Sequence, residues 1–233
     1  MEPRERVIIA LDLPCADEAV RMVELLEKEV DIFKIGIAPF VAYGEKILSF
    51  LREKGKKVFL DLKYHDIPNT VRNACAAAVD KDVFMINLHC MGGEAMMRAA
   101  AEARRKDRQP LLLGVTVLTS MGEDGLREAG ISGRLEEVVL RYASAAEEAG
   151  LDGVVASPRE VRMIKENAGR DFIVVTPGVR PEWAASQDQK RITTPAQAVK
   201  EGADYLVIGR PVIEAEEPLE AVKLIYEEIK DLG

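Results

Sequence analysis

The densest group of ionisable side chains in this 233-residue chain runs from Leu60 to Thr70, where Asp61, Lys63, His65 and Asp66 fall within six positions. In an extended strand, residues i and i+2 point to the same face, so Asp61 and Lys63 are expected to point together. Asp66 follows three residues after Lys63, at the turn into a helix. Taken alone, Asp-x-Lys-x-x-Asp also describes a surface ion pair at a strand end. Two other apolar runs narrow the reading: one ends in Asp12, and the next carries Lys34 just before Gly36. Charges of alternating sign (Asp12, Lys34, Asp61 and Lys63) thus stand at the ends of three consecutive strands. If those ends converge, alternation is the arrangement that keeps every member ionised, because buried like charges repel. A lysine flanked by carboxylates keeps its ammonium form, which suits a proton donor better than a Schiff-base nucleophile.

A second chemistry is written late in the chain. Thr176, Pro177, Gly178, Val179 and Arg180 close one apolar run, and Val207, Ile208, Gly209 and Arg210 close the last. Glycine turns expose backbone N–H groups to an anion, and arginine supplies the forked donors that match phosphate oxygens. The plain alternative is a glycine turn with solvated arginines.

These residues need elements to carry them. Short, β-branched, almost continuously apolar runs begin at Val7, Asp31, Lys57, Val83, Leu111, Gly153, Phe172 and Asp204. Continuous rather than alternating apolarity predicts parallel strands covered on both faces. Between them, stretches such as Ala16–Glu29, Pro39–Lys54, Glu94–Arg105 and Leu135–Ala149 return an apolar residue every three or four positions, as amphipathic helices do. Eight strand–helix units predict an α/β fold, a single (β/α)8 TIM barrel spanning residues 1–233, with an open doubly wound sheet as the alternative. Two stretches exceed the repeat, Thr119 to Leu135 and Gly178 to Pro195. Both follow strands, on the side where barrels place their active sites, and long loops in compact domains commonly work as lids.

Composition excludes several classes. Net charge is −8, which disfavours nucleic acid as a partner, although a pocket can be locally basic. The three cysteines, Cys15, Cys75 and Cys90, are too scattered for a zinc pair or a disulfide framework. The charged opening residues and the lack of an apolar stretch of about 20 residues predict neither a signal peptide nor a membrane span, hence a cytoplasmic protein. His65 reads as a turn residue rather than an acid or base, and Asn87 and His89 as groups satisfying polar valences near the barrel mouth or an interface. Trp183 is a loop reporter or a packing anchor, and Glu214, Glu216, Glu217 and Glu220 an acidic start to the last helix.

Ala10–Asp12, Phe33–Gly36, Asp61–Thr70, Val117–Ser120, Thr176–Pro181 and Gly209–Pro211 together resemble the bacterial orotidine 5′-monophosphate decarboxylases, in the family's order and across nearly the whole chain. The resemblance implies decarboxylation of orotidine 5′-monophosphate in pyrimidine biosynthesis, with no cofactor and no metal. It makes Lys63 the proton donor, Asp61 the carboxylate beside the scissile group, and Asp12 and Lys34 the ribose contacts. Asp66 and Thr70 would act across a homodimer interface in the neighbouring site. Thr119 and Ser120 would meet the pyrimidine ring, and Arg180, Gln189, Gly209 and Arg210 the phosphate. Two competitors remain: a magnesium-dependent sugar-phosphate enzyme on the same barrel, and a non-catalytic phosphate-ligand-binding barrel.

Overall fold

In a computed structural model, which describes residues 1–104, 109–184 and 193–232, the strands form one closed parallel barrel. They are β1 (Val7–Ala10), β2 (Ile32–Gly36), β3 (Lys57–Tyr64), β4 (Met85–His89), β5 (Leu111–Val115), β6 (Gly153–Val155), β7 (Ile173–Pro177) and β8 (Tyr205–Ile208). β1 pairs with β8 through Val7–Leu206, Ile8–Val207 and Ile9–Ile208. That seam closes the barrel and excludes the open sheet.

The continuous apolar runs contain two interleaved sets. Ile8, Ala10, Ile32, Phe59, Met85, Leu113, Val115, Val175, Tyr205 and Val207 pack together in the barrel interior. Their neighbours, among them Ile9, Phe33, Ile35, Leu60, Ile86 and Leu206, join the larger core beneath the helices. Side-chain alternation along each strand therefore serves two cores, which is why no polar face appears in the sequence. The predicted helices occur as Ala16–Leu26, Ile37–Glu53, Glu94–Glu102 and Leu135–Glu148, each burying an apolar stripe. A short helix, Glu123–Glu128, lies inside the first long insertion.

The interior parity is what positions chemistry. Continuing it toward the C-terminal ends leads from Ile8 and Ala10 to Asp12, from Ile32 to Lys34, from Phe59 to Asp61, and from Met85 to Asn87. Apolar side chains fill the lower barrel, and polar ones replace them at its mouth, the face where barrel enzymes work.

Candidate active site

A cavity of about 560 Å³ opens at that mouth, and its lining includes Asp12, Lys34, Asp61, Lys63, Thr119, Arg180, Gly209 and Arg210. Along one wall the charges form a chain: Asp12 Oδ1 lies 3.2 Å from Lys34 Nζ, Lys34 Nζ lies 3.3 Å from Asp61 Oδ2, and Asp61 Oδ1 lies 2.6 Å from Lys63 Nζ. Lys34 and Asp61 are buried, with 7% and 9% of their surface exposed, whereas Asp12 is open to solvent. Burial would raise the Asp61 pKa, but the charges of Lys34 and Lys63 and the hydrogen bonds from Lys63 and Asn87 outweigh it and hold the carboxyl below its ordinary value. Gly36 belongs to the same design, since a Cβ there would come within 3.2 Å of both Asp12 Oδ1 and Lys34 Nζ.

Asp61 and Lys63 meet as expected, but not by regular strand alternation. The β3–β4 register runs Phe59–Met85 and Leu60–Ile86, then resumes only at Tyr64–Leu88, so four steps along β3 match two along β4. Within this bulge Lys63 adopts φ 51°, a left-handed conformation that costs a non-glycine residue about 1–2 kcal/mol. The Lys63 N–H, displaced from the ladder, donates to Asn87 Oδ1 at 2.8 Å, and Asn87 Nδ2 donates to Asp61 Oδ1 at 2.7 Å. Asn87 is fully buried. Its role was only partly visible in the sequence; the signal that could have found it is its inward parity on β4.

The same cavity is lined by Pro177 at the end of β7, by Gly178 and Arg180 after it, and by Gly209 and Arg210 after β8. Gly178 has φ 77°, which lets the chain turn sharply at the strand end. The Arg180 N–H donates to the Thr193 carbonyl at 3.0 Å, fixing the start of the long segment after β7. Gln189, assigned to phosphate by resemblance, lies outside the described residues. Glu214 also lines the cavity, so it is not simply part of the acidic start of the last helix. Trp183 is 47% exposed and lines a hollow beside Arg180 and Arg210.

Three expected residues are not in this cavity. Ser120 lines an adjacent hollow that shares Thr119, Pro177 and Gly178 with the first. Asp66 and Thr70 are exposed, and Asp66 Oδ1 accepts the Ile67 N–H at 2.7 Å rather than meeting Lys63. The His65 and His89 rings stand 5.5 Å apart between centroids. Burial first, then the neighbouring charges of His65 and Lys63, push His89 below its ordinary pKa. No cluster of three or more metal-ligating side chains occurs among the described residues.

A sequence model of the orotidine 5′-phosphate decarboxylase / HUMPS family matches residues 5–225. The chain is 51% identical to an orotidine 5′-phosphate decarboxylase of Pelobacter propionicus, over 98% of this chain and 96% of that one. It is 48% identical to the enzyme of the same name from Syntrophotalea carbinolica, again over 98% and 96% of the two chains. The crystal structure of orotidine 5′-phosphate decarboxylase from Lactobacillus acidophilus superposes with a TM-score of 0.85 at 36% identity, covering 96% of this chain and 98% of the other.

Proposed function

The chain belongs to the orotidine 5′-phosphate decarboxylase / HUMPS family, and from that premise we propose how its cavity does the family's chemistry. The protein decarboxylates orotidine 5′-monophosphate to uridine 5′-monophosphate and carbon dioxide, a step of pyrimidine biosynthesis. The observation that carries the mechanism is the alternating row Asp12–Lys34–Asp61–Lys63, which shares one cavity with Arg180, Gly209 and Arg210.

Decarboxylation breaks the bond between pyrimidine C6 and its carboxylate and leaves the electron pair on C6. No carbonyl is placed to take that pair up as an enolate, so fixed positive charge must stabilise it. Lys63 supplies that charge, and its ammonium then gives a proton to C6 and is reprotonated from water. Asp61 holds Lys63 and also crowds the substrate carboxylate. At ~4 Å and an effective dielectric near 20, such repulsion is about 4 kcal/mol. It accelerates the reaction only to the extent that it is relieved in the transition state, so stabilisation of the carbanion by Lys63 is the larger part. Asp12 and Lys34 take the ribose hydroxyls, and Thr119 and Ser120 the ring. Arg180, Gln189, Gly209 and Arg210 take the phosphate, and binding there offsets the cost of desolvating the charged centre.

We read residues 1–233 as one catalytic domain that works as a homodimer with shared sites. Asp66 and Thr70 are exposed beside Ile67, itself 67% exposed, and Ile37, Val41 and Met91 are exposed after the flanking strands β2 and β4. An apolar rim carrying a carboxylate and a hydroxyl suits a two-fold contact that delivers both to the partner's Lys63. The net charge of −8 argues against nucleic acid as a partner. No helix among the described residues is long and apolar enough to cross a membrane. We assign the enzyme to the cytoplasm, where a phosphorylated nucleotide, too polar to cross a bilayer, is retained.

The assay follows loss of orotidine 5′-monophosphate by ultraviolet absorbance, before and after dialysis against a strong chelator. Turnover should be unchanged by the chelator. Loss of activity restored by magnesium would move the chemistry to the sugar-phosphate branch, and binding without turnover would make the barrel a binding protein.

A further inference from the structure

We propose that Asn87 is a positioning residue for Lys63, holding the proton donor at both its root and its tip. The inference rests on the decarboxylase reading above and adds a residue to it. Asn87 comes from β4, has no exposed surface, and makes two hydrogen bonds that converge on one functional group. Its Oδ1 accepts the Lys63 backbone N–H at 2.8 Å. Its Nδ2 donates at 2.7 Å to Asp61 Oδ1, the same oxygen that accepts from Lys63 Nζ at 2.6 Å. The amide orientation follows from the partners, because an N–H can only be met by the carboxamide oxygen and a carboxylate only by its NH2.

The two bonds do different work. The first captures a donor released by the β3 bulge, and so keeps Lys63 in its left-handed conformation. The second fixes the rotation of the Asp61 carboxylate, and with it the point to which the flexible lysine chain is drawn. A rigid planar amide thus sets both ends of a side chain with four rotatable methylenes, and small misplacements of a reacting group cost large factors in rate. Asparagine suits this position because it donates on one side, accepts on the other and adds no charge. Leucine would do neither, and aspartate would present an oxygen to Asp61 where a donor is needed.

The test uses the full-length enzyme and three readouts: kcat and KM for orotidine 5′-monophosphate, affinity for uridine 5′-monophosphate, and thermal unfolding. Asn87→Ala should lower kcat by at least 30-fold, while KM and product affinity stay within threefold, because phosphate and ribose contacts lie elsewhere. Asn87→Asp keeps the acceptor for the Lys63 N–H but becomes a donor to Asp61 only when protonated. Its kcat relative to the parent should therefore rise about tenfold between pH 8 and pH 5.5. Asp61 and Lys63 bond to Asn87, Lys34 pairs with Asp61, and His89 lies two residues along β4, so each rate is compared with the parent's at the same pH.

A folded Asn87→Ala protein with kcat within threefold of the parent would overturn the proposal. So would a parallel fall in kcat, product affinity and melting temperature, which marks a general packing role. If Asn87→Ala does not accumulate as folded protein, the pH ratio of Asn87→Asp decides, and a flat ratio overturns the proposal. A parent that fails to turn over orotidine 5′-monophosphate would instead refute the decarboxylase reading.

Discussion

Replacing Lys34 with methionine tests whether the charge row holds itself together. The substitution keeps most of the side-chain volume and removes one of the two cations on Asp61, leaving Lys63 at 2.6 Å and Asn87 at 2.7 Å. Lys34 Nζ lies 3.3 Å from Asp61 Oδ2, and both side chains are largely buried, at 9% and 12% exposure. At an effective dielectric near 20 the attraction across that gap is about 5 kcal/mol. Removing one member of a buried pair typically costs about 3–5 kcal/mol, because the remaining charge stays desolvated. Asp61 keeps two donors, so the lower end applies, about 3 kcal/mol, or roughly a 150-fold change in the folding equilibrium. With a urea dependence of about 3 kcal/mol per molar, the unfolding midpoint should fall by about 1 M at pH 7. Asp61→Asn added to Lys34→Met should recover part of that loss, since the orphaned charge is then gone. The pH dependence has a definite sign. The folded pKa of Asp61 is depressed, so its stabilising contribution is present above the unfolded value of about 3.9 and lost as pH falls through the lower folded value. The gap between parent and Lys34→Met should therefore be largest near neutrality and shrink below about pH 4. A midpoint within about 0.2 M of the parent, with no coupling to Asp61→Asn, would refute the idea that the row is a stabilising network rather than four independent charges.

Lys63→Ala should abolish turnover while the protein stays folded and still binds uridine 5′-monophosphate; a variant with its turnover number intact and only its affinity reduced would exclude Lys63 as the donor. Arg210→Ala should damage use of the phosphorylated substrate far more than use of the truncated nucleoside, and equal damage to both would place Arg210 away from the phosphate. Co-expressed Lys63→Ala and Asp66→Asn chains, each inactive alone, should recover activity at about a quarter of all sites, because random pairing makes about half the dimers hybrid with one complete site each. No recovery in hybrids confirmed by dual-tag purification would mean that Asp66 does not act across the interface.

Strand parity and strand ends were legible in the sequence because both are local. The interior set Ile8–Ala10, Ile32 and Phe59 continues into Asp12, Lys34 and Asp61 by simple alternation, and the cavity contains all three. Arg180, Gly209 and Arg210 were legible for the same reason, as residues that end apolar runs, and they line the same cavity. Closure was not local: it depends on β1 meeting β8 across about two hundred residues, and no periodicity reports which strands become neighbours.

The Asp61–Lys63 contact shows the division most sharply. Alternation predicts it, yet the structure reaches it through a bulge in which Lys63 leaves the strand conformation altogether. A left-handed lysine is unfavourable by itself, and here it is accompanied by a bond to Asn87, 24 residues further along the chain. Asp66 and Thr70 belong to the same signature as Lys63 but are exposed and do not line the cavity. Sequence by itself therefore determined which residue types stand at the mouth and in what order of charge. Tertiary structure decided which of them touch, because contact distance depends on hydrogen bonds between strands that are remote in the chain.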